Sequence, residues 1–255
     1  MKKTIIILLA IIGALSMSAC NLTVGSIQLG PAEIVRGSGD VIVESREIEA
    51  DFDKIDLSGI GNLDITQGDD FSLEVKGEDN IVELIETEVR GSTLYIGVKD
   101  RKPGSYNIIP TEKLYYTVVM PDLARVTLSG AGNIEIPSLE TEELRVTLSG
   151  AGALEIEDLN ADLLVIEISG AGSVDISGAV VEQRLHLSGM GNYDARDLES
   201  QIAEIDLSGV GSGTVWVTES LDVTISGVGS LNYYGDPRIT ENVSGLGDLN
   251  HKVDR

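Results

Sequence analysis

The sequence predicts an all-β chain: a right-handed single-stranded parallel β-helix with coils of about 18–20 residues and an irregular N-terminal capping region. Three observations carry this: a recurring Ser-Gly-x-Gly word, alternating apolar and polar residues on either side of it, and 29 glycines against ten aromatic residues. The word has its serine at 58, 129, 149, 169, 188, 208, 226 and 244, so from Ser129 the steps are 20, 20, 19, 20, 18 and 18. A fixed period of this length with a glycine turn marks a solenoid. Parallel crossovers are overwhelmingly right-handed. A left-handed helix of six-residue units is the alternative, but the units here are not hexads and the step drifts. Six prolines argue against a disordered linker protein.

The chain opens MKKTIIILLAIIGALSMSAC: Lys2 and Lys3, an apolar run over residues 5–15, then small residues ending at Cys20. This reads as an export signal over residues 1–19. The run is short for a spanning helix, and no second long apolar stretch follows. Cys20 is the only cysteine. With Met17-Ser18-Ala19 before it, it resembles a bacterial lipoprotein processing site, in which the thiol takes a diacylglycerol and becomes the new N-terminus. Residues 20–36 are then a lipidated tether, and the membrane is a partner through the lipid. An ordinary signal peptide beside a free thiol is the other reading. Two or three acyl chains anchor stably where one does not.

Residues 37–122 are expected to hold the N-terminal coils and a capping insertion. Gly37-Ser38-Gly39-Asp40-Val41 reads as a degenerate corner, and FDKIDLSGIGNLDI, from Phe52, is a full copy. The period then lapses for 71 residues. FSLEVKG, STLYIGV and KLYYTVV read as strands, and DNIVELIETEV as a short helix with apolar residues at 81, 82, 84, 85 and 89. A covering subdomain is expected here, because the end of a solenoid exposes strand edges.

Residues 123–250 are the regular helix. Val126, Val146, Ile166, Leu185, Ile205 and Val223 share one column, and Leu128, Leu148, Ile168, Leu187, Leu207, Ile225 and Val243 another. Their spacing of two turns both columns inward. Thr127, Thr147, Glu167, His186, Asp206, Thr224 and Asn242 lie between them and face out. Past the corner Ile134, Leu154 and Val174 point inward, and Leu139, Leu159 and Leu198 plug a third side. The corner glycines are expected to supply positive φ and to leave no Cβ against the coil below. A ladder of serines is expected to satisfy the corner's backbone groups.

The Ser-Gly-x-Gly repeats, with FDKIDLSGIGNLDI, a break, and then VVMPDLARVTLSGAGNIEI, resemble the GIN-domain family, labelled "putative auto-transporter adhesin head domain". The likeness covers roughly residues 37–235. It implies an exported, often lipid-anchored bacterial protein with a β-helical fold, and it implies no chemistry. This chain departs from an autotransporter in having a lipoprotein-type signal and no recognisable C-terminal translocating barrel.

Formal charge is −24, and loss of Lys2 and Lys3 with the signal makes it −26. Such acidity repels phosphate backbones, so no nucleic-acid partner is expected. It also keeps a long β surface soluble. Glu135, Glu155, Asp175 and Asp194 fall three residues after the second glycine of successive words, followed by Thr214, Asn232 and Asn250. If stacked, these carboxylates either splay into water or form a weak surface cation site for Ca2+; no other cofactor is expected. The calcium nonapeptide pattern is absent, since Ile134, Leu154 and Val174 stand where it needs aspartate. Trp216 and Tyr234 share an outward column with Arg196 one coil before. They form either a platform for a sugar ring or a protein, or aromatic cover for a tapering end.

His186 and His251 are the only histidines, the first on an outward strand and the second near a frayed C-terminus. Neither joins a nucleophile motif, and the short coils leave no material for a cleft, so catalysis is not expected. The reading is a membrane-anchored lipoprotein of the bacterial cell envelope, exposed outside the cytoplasm, acting as a binding or adhesion module toward a surface glycan or protein. A carbohydrate-active β-helix enzyme and a purely structural envelope lipoprotein are the alternatives.

Overall fold

The computed structural model describes residues 33–48, 50–99 and 106–253. Cys20 and the expected export signal lie outside the described residues, as does most of the expected tether. The described chain opens with β1 (Glu33–Arg36) and β2 (Val41–Arg46), and β3 (Lys54–Leu57) and β4 (Asn62–Gln67) then flank the first full corner. Next come β5 (Ser72–Glu78), one helical turn α1 (Asp79–Val82), β6 (Ile85–Arg90), β7 (Thr93–Val98), β8 (Tyr106–Ile109) and β9 (Tyr115–Met120). The repeats supply β10 (Arg125–Leu128), β11 (Ala131–Ile136), β12 (Leu139–Leu148), β13 (Ala151–Ile168) and β14 (Ala171–Leu187). They end with β15 (Met190–Leu207), β16 (Val210–Ile225), β17 (Val228–Tyr234), β18 (Arg238–Val243) and β19 (Leu246–His251).

Each repeat lies parallel on the one before and in register through the corner, with local shifts after Ile156, Asp175, Ala195 and Ser200. Arg145 to Leu148 face Arg125 to Leu128, and the corner residues Ala151, Ala171, Met190, Val210, Val228 and Leu246 follow one another coil by coil. The alternation buries what it predicts: Val126, Val146, Ile166, Leu185, Ile205 and Val223 are at most 3% exposed, and Leu139, Leu159 and Leu198 close the third side. Burying an aliphatic side chain of this kind stabilises by roughly 1.5–3 kcal/mol. Val243 departs from its column at 42% exposure, because among the described residues no further coil packs on β18.

The 71-residue lapse does not break the stack. β3 lies directly against β10, with Lys54 opposite Arg125 and Leu57 opposite Leu128, and Ile60 meets Ala131 across the corner. The intervening chain loops out and returns on the other side of the first word, where β7 pairs parallel with β3 and β9 with β4. Space and sequence therefore run in different orders at this end. Antiparallel pairs β2–β5, β5–β9 and β6–β7 then cover it.

Four local expectations are corrected. The helix expected over DNIVELIETEV is only α1, because Ile85, Thr87 and Val89 alternate along β6 and turn back through Gly91 (φ +63°) onto β7. The stretch from Gly37 to Val41 is not a coil corner: it joins β1, which pairs with β8, to β2, which runs antiparallel to β5. Positive φ is not what the corners ask of glycine, since among the corner glycines only Gly61 has it (φ +133°). The requirement is steric, because a Cβ on Gly130, Gly150 or Gly209 would overlap the carbonyl oxygen of the corner glycine one coil back. Finally, the corner's polar groups are satisfied by backbone rather than by a serine ladder. The amides of Ser149 and Gly150 both donate to the Leu128 carbonyl (3.0 and 3.1 Å), and that of Ala151 to Gly130 (2.9 Å). The corner serines are exposed, and the Ser58 and Ser208 hydroxyls bond carbonyls of the neighbouring coil rather than other serines.

The covering end is fastened by one carboxylate. Glu78, only 1% exposed, accepts hydrogen bonds from the Thr111 hydroxyl and from the amides of Thr111 (2.8 Å), Gly39 (2.7 Å) and Glu112 (3.3 Å). These donors, the Thr111 hydroxyl foremost, lower its pKa to about 2 against the opposing effect of desolvation.

Candidate functional site

Sequence spacing puts Trp216 and Tyr234 five residues after their glycines, and the parallel register of β16 and β17 sets them directly opposite each other. Both are half-buried. Beneath Trp216 runs a chain of buried polar side chains that the sequence reading did not find. Tyr193 donates to Gln183 Oε1 (2.9 Å), Gln183 Nε2 donates to Ser200 Oγ (2.7 Å), and Ser200 Oγ donates to the Trp216 carbonyl (2.9 Å). Thr218 Oγ1 donates to the Ser200 carbonyl (3.1 Å). A fully connected buried network of this kind rigidifies the backbone it bonds. The signal available in sequence was a polar residue in each of two otherwise apolar columns, Gln183 between Leu164 and Ala203 and Ser200 between Val180 and Val217.

After Tyr234 the chain turns at Gly235 (φ +94°), where a Cβ would overlap the Val217 carbonyl. Only glycine tolerates both demands.

Arg196 is not the register partner of Trp216. The register shifts between Ala195 and Glu199, so Glu199 opposes Trp216. Arg196 folds onto Asp194 in a bidentate pair, Nε–Oδ1 2.9 Å and Nη2–Oδ2 2.6 Å. That pair, with a smaller contribution from Tyr234, holds the guanidinium above its ordinary pKa. Arg196 and Tyr234 are thus within electrostatic reach, with Asp194 fixing the arginine's orientation.

The acidic column does align. Glu135, Glu155, Asp175 and Asp194 are successive register partners, continued by Thr214, Asn232 and Asn250, and Asp64 extends the column beyond Glu135. Burial, and then the neighbouring carboxylates, raise the pKa of Asp64 and Asp175. The carboxylates form a line rather than a cage, and among the described residues no three His, Cys, Asp or Glu side chains converge to hold a metal ion. Arg196 already neutralises Asp194 at one end.

His186 sits 3.2 Å from Asp206 on an exposed strand face. His251 is not frayed: it lies in β19, stacks on Tyr233 with centroids 4.8 Å apart, and has its Nε2 2.9 Å from the Gly235 carbonyl oxygen. Tyr233 is partly buried against the core, and His251 stays exposed. A wide surface depression of about 720 Å³ lies elsewhere, beside Gln67, Pro121, Glu140, Glu142, Asn160 and Asp162, and contains neither histidine. Among the described residues no helix is long and apolar enough to cross a membrane.

Residues 51–237 match the family described as "Putative auto-transporter adhesin, head GIN domain". Among solved structures, a "putative adhesin" from Bacteroides fragilis is 29% identical with a TM-score of 0.79, covering 86% of this chain and 100% of that one. A "putative lipid binding protein" from Parabacteroides distasonis is 24% identical (TM-score 0.72, 87% of this chain and 100% of that one). A "putative adhesin" from the same species is 21% identical (TM-score 0.66, 86% and 100%). The last two show the shared fold. Comparison with curated proteins finds no match.

Proposed function

We propose, since this chain belongs to the GIN-domain family of adhesin heads, that it is a surface-exposed binding module of the bacterial cell envelope, held there by lipid on Cys20. The observation that carries this reading is Trp216 directly opposite Tyr234 on an outward face, braced from below through Ser200 and flanked by the Arg196–Asp194 pair. Two adjacent aromatic side chains on rigid strands offer apolar area with polar tips, which suits the face of a sugar ring or an extended protein segment. The arginine supplies donors beside that face and the carboxylate an acceptor. A solenoid side repeats its geometry from coil to coil, which suits a repeating polymer.

The test is a glycan array probed with the soluble chain beginning at Asn21, wild type against Trp216→Ala. Saturable binding reduced at least tenfold in the variant is the expected result. Turnover of a bound glycan would instead favour a carbohydrate-active enzyme, and absence of both binding and turnover a structural envelope lipoprotein. Labelling of the expressed protein with a radioactive fatty acid, lost in Cys20→Ser, tests the anchor separately.

A further inference from the structure

The chain has 42 acidic residues and only 18 basic ones, so adjacent positive charges are not expected by composition. Lys54, Arg125 and Arg145 nevertheless oppose one another in register on three consecutive coils, on the outward side of β3, β10 and β12. Stacked strands stand about 4.8 Å apart, and like charges directly opposite one another are destabilising. Two of the three carry a counter-charge: Lys54 Nζ lies 3.0 Å from Asp53 Oδ1, and Arg145 Nε lies 2.5 Å from Glu143 Oε1. Arg125, exposed between them, has no carboxylate partner among the described residues.

Two residues further along the same strands, Thr127 and Thr147 form the next outward pair. Across these two coils and the next, β13, is a pit of about 240 Å³ bordered by Arg125, Thr127, Arg145, Thr147, Val165 and Glu167. Its volume is below the roughly 300–1,000 Å³ of sites for drug-sized ligands, which restricts an occupant to about one ring. The chemistry around it is mixed in a specific way. A guanidinium with its planar fork unused takes a carboxylate or sulfate bidentately. Threonine hydroxyls both donate and accept, and Glu167, which follows Thr147 in its column, accepts from hydroxyl groups while opposing a second anion. Val165 adds an apolar contact.

We infer that this pit binds a single acidic sugar residue, its carboxylate or sulfate on Arg125 and its hydroxyls toward Thr127, Thr147 and Glu167. The site lies before the corner of the coil, whereas Trp216 lies after it, and it does not rest on the aromatic reading above. The acidic body selects among anionic ligands: it repels a densely charged polymer over a long range, while one isolated charge meets Arg125 at short range.

Titration calorimetry of the soluble chain tests this with a disaccharide ending in glucuronic acid, a singly sulfated disaccharide, their neutral counterpart, inorganic sulfate and a densely sulfated polymer. At least one acidic disaccharide should bind with a component that depends on Arg125, the neutral one should show no such component, and the polymer should bind more weakly per site. Arg125→Gln should weaken that component at least tenfold without lowering the melting temperature, Thr147→Val should weaken it less, and Trp216→Ala should leave it in place. The inference is overturned if neither acidic disaccharide binds, if Arg125→Gln binds as wild type, or if Trp216→Ala abolishes binding. Inorganic sulfate binding as tightly as the sulfated sugar would also overturn it, by reducing the pit to a simple oxyanion site.

Discussion

A corner glycine in this solenoid answers to the coil beneath it. On Gly152 a Cβ would overlap the Gly132 carbonyl oxygen and come within 2.9 Å of a Leu128 methyl, whereas on Gly172 the nearest atom, the Gly152 oxygen, is 3.0 Å away. Gly152→Ala should therefore cost about 1–3 kcal/mol or more, as overpacking does, and Gly172→Ala distinctly less. Denaturant midpoints of the two variants check this, and equal losses would contradict it. The need for glycine was legible from recurrence alone. Its reason was not, because glycine meets a demand for positive φ and a demand for no Cβ equally well, and only the stacked carbonyls separate them. Trp216 and Tyr234 were legible in the same manner, as equal offsets from equivalent glycines. Arg196 shared that offset and still left the column, since the coil from Ser208 is two residues shorter than the one before, and the chain absorbs the difference in two register shifts, Ala195 to Glu199 and Ser200 to Ile202.

At the scale of elements, the regular coils followed from period and alternation, while the cap did not. Apolar residues at 81, 82, 84, 85 and 89 fit a helix as a pattern, yet tertiary pairing with β7 overrides it from Ile85 onward. The cap depends on Glu78, whose ionised form is held by Thr111, Gly39 and Glu112. Its folded pKa, about 2, lies below the ordinary value of 4.5. Its stabilisation is therefore complete above about pH 4.5 and disappears as pH falls through about 2. Glu78→Gln should melt lower than wild type at pH 7, and the gap should close on acidification across that window. Melting curves from pH 7 to 2 read both effects, and a pH-independent gap would remove the carboxylate from this role.

For the molecule as a whole, the two ends are finished differently. Antiparallel strands cover one, and at the other the column of Val126, Val146, Ile166, Leu185, Ile205 and Val223 ends in Glu241, opposite Val223 and exposed. A charge pointing inward at an open edge discourages another chain from adding to it. Glu241→Val should increase self-association, read by light scattering after size exclusion, and an unchanged mass at high concentration would count against this role. The looped-out stretch between β4 and β10 bears on how the chain acquires its shape. A regular coil meets its neighbour 20 residues away, whereas Lys54 meets Thr93 and Arg125, 39 and 71 residues later. Closing the longest of these loops rather than a regular one costs about 1 kcal/mol more in entropy. In a chain that emerges amino end first, β3 and β4 must wait for β7 and β9 on one edge and for residues near 136 on the other, while each later coil finds its template already in place. The slow step in folding is therefore expected at the end made first.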